Sequence, residues 1–396
     1  GCFGAKRFGA KSSHSARRRR PEPSVDPAGM RLVLFIVGSG ALALIPGSAP
    51  APRAFTFRGF ATTYVKREGA PGLRASGAPP AVLVHGFGGS SRQWRATLAD
   101  VAASGRTVYA LDLLGFGSSA KPALAADSTP ALGGSAGPSG PLAPQSDTAV
   151  DGTRGGLEYS IDTWGTQLLE FVEEVVIRQD GASEAVLVGN SIGSLVCLAA
   201  ASSRNPAVAG VGLFNCAIGM NSKAPARPDD PIAYKIFFAL FSPAFKLIDL
   251  LLASPLARAL FDKVRDRENV RGILESGVYV NQDRVDDELV ELITAPAEDE
   301  GALEAFIKIL TGDPGPRPES LVPQLSRSLP IAVWWGTEDQ VTPLIGVVGQ
   351  FFKNLPKSRD SASFELVEGT GHCPFDDRPD LVSPKLIGWL DANFLF

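Results

Sequence analysis

From about Phe55 onward, short apolar runs alternate with longer stretches in which apolar positions recur at helical spacing. Apolar or β-branched runs of about four to eight residues bounded by Gly, Pro, Asn or Asp read as strands, and strands alternating with helical patterns predict a mostly parallel sheet flanked by helices. The pattern places strands at 54–57, 62–66, 81–85, 107–111, 185–188, 211–214, 331–335 and 364–367. Helices are expected over 93–103, 161–178, 192–203 and from near Pro379. The fold class is α/β, with an eight-stranded, mostly parallel sheet.

Two segments break the rhythm. Residues 122–157 hold five prolines, seven glycines and no aromatic residue, too little apolar area to offset the entropy of ordering them, so a mobile surface insertion is expected there. Residues 221–320 read as helices without strands and lie between two sheet strands, as a cap would. The core then divides into 54–220 and 321–396.

Residues 1–53 read as a targeting leader. An Arg-, Ser- and Ala-rich, acid-poor stretch resembles an organelle transit peptide, and the apolar run 32–45 followed by Gly47-Ser48-Ala49 resembles a signal-peptide core and cleavage site. That run is short of the roughly 20 apolar residues of a membrane span. The first residue is Gly1, which puts the start upstream or at Met30. Seven of the 38 basic residues fall within the first twenty positions, which hold no acid, so the body is more acidic than the net charge of −4. Such a body lacks the positive surface that a phosphate backbone requires, and no nucleic acid is expected as a partner. The four cysteines (Cys2, Cys197, Cys216, Cys373) form no C-x-x-C pair and the three histidines are scattered, so free, mostly buried thiols and neither metal nor cofactor are expected.

The candidate chemistry centres on Gly189-Asn190-Ser191-Ile192-Gly193, which follows an apolar strand and precedes a helical stretch, the context of a nucleophile elbow. The glycines leave room for a sharp turn that lifts the Ser191 hydroxyl above the sheet. A serine hydroxyl is a weak nucleophile until a base with a pKa near the working pH takes its proton, which points to histidine. His14 lies in the leader and His85 ends a strand, leaving His372, on a loop past the last strand, as the base. Asp339, just beyond the strand 331–335, orients it; Glu338 is the competitor, while Asp376 or Asp377 is expected to cap the final helix. The oxyanion of a tetrahedral intermediate needs fixed donors. Phe87, in His85-Gly86-Phe87-Gly88-Gly89, and Ile192 supply the backbone N–H groups, with His85 structural in that loop. The stretch Asp112-Leu113-Leu114-Gly115-Phe116-Gly117-Ser118 by itself signals a strand-to-loop turn. Within the cap, 231–261 is apolar almost all round, so it is cap core, the wall of a long hydrophobic tunnel or a membrane-dipping lid. A bulky apolar ester is the substrate this composition favours.

With these residues in place, the chain resembles the α/β-hydrolase superfamily, whose order of triad residues is Ser, Asp, His, and within it is similar to the chlorophyll dephytylases of plastids. The likeness covers roughly 55–389 apart from 122–157. It is most specific in the elbow extended to Ser194-Leu195, in Val264-Arg265-Asp266-Arg267-Glu268-Asn269, in Asp299-Glu300-Gly301-Ala302-Leu303 and in Gly371-His372-Cys373-Pro374-Phe375-Asp376-Asp377-Arg378-Pro379. The resemblance implies a serine esterase that cleaves the phytyl ester of chlorophyll to chlorophyllide and phytol, working in a plastid at the thylakoid membrane surface on a lipophilic pigment ester. Ser191, Asp339 and His372 fall on the family's triad positions, whereas the long insertion and the two-part leader depart from its usual pattern. Pheophytinase activity, a general lipophilic carboxylesterase and a hydrolase-fold ligand receptor are the alternatives.

Overall fold

The computed structural model describes residues 50–72, 78–123, 157–221 and 223–395. The expected leader, but for its last residues, and the expected insertion, but for its edges, lie outside the described residues. All eight expected strands form: β1 (Arg53–Phe57), β2 (Phe60–Arg67), β3 (Ala81–Val84), β4 (Val108–Leu111), β5 (Ala185–Asn190), β6 (Val208–Phe214), β7 (Ile331–Gly336) and β8 (Ala362–Val367). They make one sheet in the order β1-β2-β4-β3-β5-β6-β7-β8. The β1–β2 hairpin and the β2–β4 pair are antiparallel, and every pair from β4 to β8 is parallel.

Each central strand is buried on both faces, which is why β3 reads as the unbroken run Ala-Val-Leu-Val with no polar alternation. Its side chains still obey the two-residue period of a strand. Val82 and Val84 join the core with Leu187, Trp164 and Leu195 on one face, while Ala81 and Leu83 join Val186, Trp94 and Leu386 on the other. From β3 the chain steps to β4 on one side and then returns to β5 on the other. Such a reversal opens a crevice beyond the carboxyl ends of the strands, where ligands settle in open α/β sheets.

The flanking helices are α1 (Arg95–Ala103), α2 (Ile161–Phe171), which continues in π-helical turns over Val172–Gln179, and the wholly buried α3 (Ile192–Ser202). Between β6 and β7 come α4 (Ile232–Leu252), α5 (Ala257–Val264), α6 (Arg267–Ile273), α7 (Asp287–Thr294), α8 (Ala302–Thr311) and α9 (Pro318–Leu321), with no strand among them. The last segment adds α10 (Val347–Asn354), a single turn α11 (Pro374–Asp377) and α12 (Pro379–Phe394). The sequence pattern did not single out α10.

Two expectations are corrected. The greasy helix α4 is not cap core: Ile232, Leu240 and Leu250 are 71%, 70% and 67% exposed, and Ile236, Phe237 and Leu247 also face outward. Its periodicity is apolar all round because it packs on α5 and α8 along one flank while its other side stays apolar and uncovered. Asp376 and Asp377 do not cap the final helix, whose N-cap position is Arg378 without a side-chain cap. Both carboxylates are buried: Asp377 accepts from Gly371 N in the loop that carries His372, and Asp376 accepts from the Tyr279 hydroxyl.

Candidate active site

β5 ends at Asn190 and α3 begins at Ile192, so the whole reversal of direction falls on Ser191, held at φ 56° and ψ −120°. A non-glycine residue there is strained, and the surroundings impose it. The Ser191 N–H donates to the Phe214 carbonyl at 3.0 Å, and the Ser191 carbonyl accepts from Ala217 N at 3.2 Å. The flanking glycines are needed for contact. A Cβ at Gly189 would lie 2.3 Å from the Gly193 backbone, and one at Gly193 would lie 2.3 Å from the Val84 carbonyl oxygen of β3.

His372 follows β8, and its Nδ1 lies 3.0 Å from Asp339 Oδ2. Asp339 sits past β7 and is the most heavily tied acid in this part of the fold. Its Oδ1 accepts from Val341 N at 2.8 Å and Thr342 N at 3.0 Å; its Oδ2 accepts from Thr342 Oγ1, from Asn215 Nδ2 and from the imidazole. Burial alone would raise this carboxyl. The hydrogen bond and charge of His372, with the Thr342 and Asn215 donors, outweigh burial and bring it down to about 2. Glu338, the rival acid, is exposed. Asn190 links base and elbow, since its Nδ2 donates to the His372 carbonyl at 2.9 Å.

The turn after β3 carries Phe87, and α3 begins at Ile192, the two residues whose N–H groups are expected to face an oxyanion. Leu113 N donates to His85 Nε2 at 3.1 Å, which leaves the proton on Nδ1 to donate to the Gly86 carbonyl at 2.7 Å. Burial, opposed by the Asp112 charge, lowers the His85 pKa and favours this neutral form. Gly89 N also donates to the Gly86 carbonyl, at 3.1 Å. Because N–H and C=O point oppositely across a trans peptide, the Phe87 N–H turns away from His85. Gly86 itself packs on the nucleophile: a Cβ there would be 3.1 Å from Ser191 Cβ. The Ile192 N–H opens α3 and has no partner within the helix.

Ser191 and His372 share the wall of one cavity of about 370 Å³, yet no hydrogen bond joins the hydroxyl to the ring. Catalytic hydrogen bonds are often open in ligand-free enzymes and close around substrate. The remaining wall is mostly apolar, with Gln93, Lys121 and Arg265 among the exceptions, and about half of it comes from the cap, with Phe261, Ile273, Leu274 and Phe306 prominent. Gly115, Phe116 and Gly117 line it as well, a role their turn-like sequence does not announce. Sequence reasoning also passed over Asn215 and Thr342. The signal available was position: Asn215 directly follows β6, and Thr342 lies three residues beyond the acid. Cys197, Cys216 and Cys373 are free and buried, and burial pushes all three thiols up. Among the described residues no group of three or more His, Cys, Asp or Glu side chains is placed to hold a metal ion.

Comparison with known proteins agrees with this architecture. Residues 81–384 match the family described as "Alpha/beta hydrolase family". The chloroplastic pheophytinase of Arabidopsis thaliana is 28% identical, over 79% of this chain and 61% of that protein, so the chain spans about three-fifths of the length of this relative. Among solved structures, a bacterial membrane phospholipase A superposes with a TM-score of 0.57 at 20% identity over 87% of this chain and 86% of its own. The serine hydrolase of carbazole degradation gives 0.56 at 17% over 86% and 99%, and a thermophilic esterase from Thermogutta terrifontis 0.53 at 17% over 87% and 99%. At these identities the structures share the fold alone.

Proposed function

The chain belongs to the alpha/beta hydrolase family, and on that footing we propose that it is a serine esterase acting on the phytyl ester of chlorophyll. The observation that carries this reading is the Asp339–His372 pair, 3.0 Å apart, whose His372 shares the wall of a mostly apolar cavity with the strained Ser191. In the proposed mechanism His372 takes the Ser191 proton as the hydroxyl attacks the propionate ester carbonyl. Asp339 fixes the ring and stabilises the imidazolium, and the Phe87 and Ile192 amides hold the oxyanion. The imidazolium then protonates the departing phytol oxygen. Water, activated by His372, next attacks the acyl-enzyme to release chlorophyllide and regenerate Ser191.

At about 370 Å³ the cavity lies near the low end of small-molecule sites, which span roughly 300–1,000 Å³. It suits one arm of such an ester and leaves the rest outside. Phe87, Val264, Ile273 and Val341 line it and are themselves exposed, giving it an apolar rim. The exposed face of α4 fits docking on a thylakoid membrane surface within a plastid. Among the described residues no single helix is long and apolar enough to cross a membrane; Tyr234–Leu252 and Ala257–Val264 reach that composition only as a pair bent by 105°, which suits seating in the interface.

The resemblance to a pheophytinase favours a second reading, the same ester cleaved on the magnesium-free pigment. Incubating the wild type and Ser191→Ala with chlorophyll a and with pheophytin a in detergent micelles, with products identified by mass, tests both. Release of phytol from chlorophyll by wild type alone is expected. Release from pheophytin only would transfer the assignment to the second reading, and equal release by the variant would refute the serine mechanism.

A further inference from the structure

The doublet Asp376-Asp377 does more than close a loop. Asp377 is fully buried and forms no salt bridge among the described residues. Its two oxygens accept backbone N–H groups from two different parts of the chain: Gly371 N at 2.7 Å from the histidine loop, and Val280 N at 3.1 Å and Asn281 N at 2.7 Å from the cap. Beside it Asp376 accepts from Tyr279 Oη at 2.9 Å and from the Arg284 guanidinium at 2.6 Å, again cap residues. The seam is completed by His372 N, which donates to the Val278 carbonyl at 2.8 Å, and by Gly371, where a Cβ would lie 2.2 Å from that same oxygen.

On the other side of this seam lies the substrate cavity. The cap segment from α6 through its π-helical extension (Leu274–Val278) gives the wall Val270, Ile273, Leu274 and Val278. Val278 therefore lines the cavity with one part of itself and holds the His372 backbone with another. A shift of this wall pulls on His372, because the Asp376 and Asp377 carboxylates and the Tyr279 hydroxyl are buried and paired along the seam, and parting it would strand a carboxylate in the interior. The Ser191–His372 bond, meanwhile, is open.

We propose that Asp377 is a positioning residue that couples the cap wall to His372, so that an apolar chain filling the cavity brings the imidazole onto the Ser191 hydroxyl. The inference rests on the esterase reading above. Binding energy from the remote chain is then expressed in the rate of the chemical step rather than in affinity alone.

The test uses the full chain and a series of n-alkyl propionates from propyl to dodecyl in detergent micelles, with single-turnover experiments giving the saturating acylation rate and the half-saturating concentration. In the wild type the acylation rate rises at least 10-fold along the series. In Asp377→Asn, whose amide keeps one acceptor oxygen and sets a donor against the N–H group or groups that the other oxygen accepted, the rate is low and flat while the half-saturating concentration still falls with chain length. Tyr279→Phe, which removes the hydroxyl that donates to Asp376 and accepts from Gln93 Nε2, flattens the rate partially and decides the matter should Asp377→Asn not fold. A uniform drop at every chain length in Asp377→Asn, or an unaltered slope in Tyr279→Phe when only that variant folds, overturns the coupling. So does a wild type that hydrolyses the series at a flat acylation rate. A wild type that cleaves none of these esters overturns the esterase reading itself.

Discussion

The backbone angle of one residue and the charge state of another set most of what the site requires. Ser191 keeps a side chain where glycine would be relaxed, and strain of this kind amounts to about 1–3 kcal/mol. Glycine also gains freedom in the unfolded chain, which offsets part of the relief. Ser191→Gly is therefore expected to be more stable than Ser191→Ala by about 1 kcal/mol in urea unfolding, with both variants inactive. Equal stabilities would mean that the turn is not strained. The Asp339 carboxyl, about 2 in the fold against its ordinary 3.8, gives a signed prediction. A depressed carboxyl stabilises the fold above its unfolded value, so its contribution, roughly 2 kcal/mol, is complete above about pH 5 and drains away as the pH falls through 4 toward 2. Asp339→Asn should lose stability at pH 6 and show a shallower decline between pH 5 and 2.5. Parallel curves for variant and wild type would contradict this assignment.

The elements divide into those whose fit is sterically tight and those left without a partner. The elbow needs β5, α3 and β3 to touch through Gly189 and Gly193. Gly193→Ala should thus cost about 3 kcal/mol or more and abolish activity, since the Val84 carbonyl it would strike belongs to a central strand that cannot give way. Thermal melting with an esterase assay checks both. Helix α4 is the opposite case. Its outward Ile236, Leu240 and Leu247 lie outside the cavity wall, so exchanging all three for Gln should leave hydrolysis of a micellar short-chain ester unchanged. At roughly 1.5–3 kcal/mol for each fully buried apolar side chain, the same exchange should weaken flotation with phosphatidylcholine–phosphatidylglycerol vesicles by at least about 10-fold. Undiminished flotation would remove α4 from the membrane contact.

At the scale of the whole molecule the cap must be held over the sheet, and a buried ion pair ties its two ends together. Arg317, just before α9, donates from both guanidinium ends to Asp230, just before α4, at 2.7 and 2.9 Å, with both side chains buried. Replacing one partner strands the other charge. Arg317→Met should lower stability by roughly 3 kcal/mol, and Arg317→Met with Asp230→Leu should recover part of it, because the buried Asp230 is no longer orphaned and only the partly exposed Glu319, the other partner of Arg317, loses its cation. If the double variant melts no higher than the single one, the pair does not anchor the cap in the way its geometry indicates.

The sheet, the elbow turn and the residues expected to form the triad were read from signals that are each written locally. Strands are short apolar runs, Gly189 and Gly193 mark a turn without room for side chains, and elimination among three histidines leads to His372. Helix α10 was missed because its apolar stripe is short, and Asp376 and Asp377 were misread because a carboxylate before a helix normally serves that helix. Whether α4 was core or surface could not be read from a helix apolar on all sides, since burial depends on what lies across from it. The chain's own order of residues thus determined the fold class, the eight strands and the chemical groups at the site. Tertiary structure alone decided which groups meet: the Asn215 and Thr342 donors on Asp339, the seam of Asp377 with the cap, and the place of Ser191 and His372 on one cavity wall without a hydrogen bond between them. These depend on backbone directions and distances between segments far apart in sequence, and no local pattern encodes a distance.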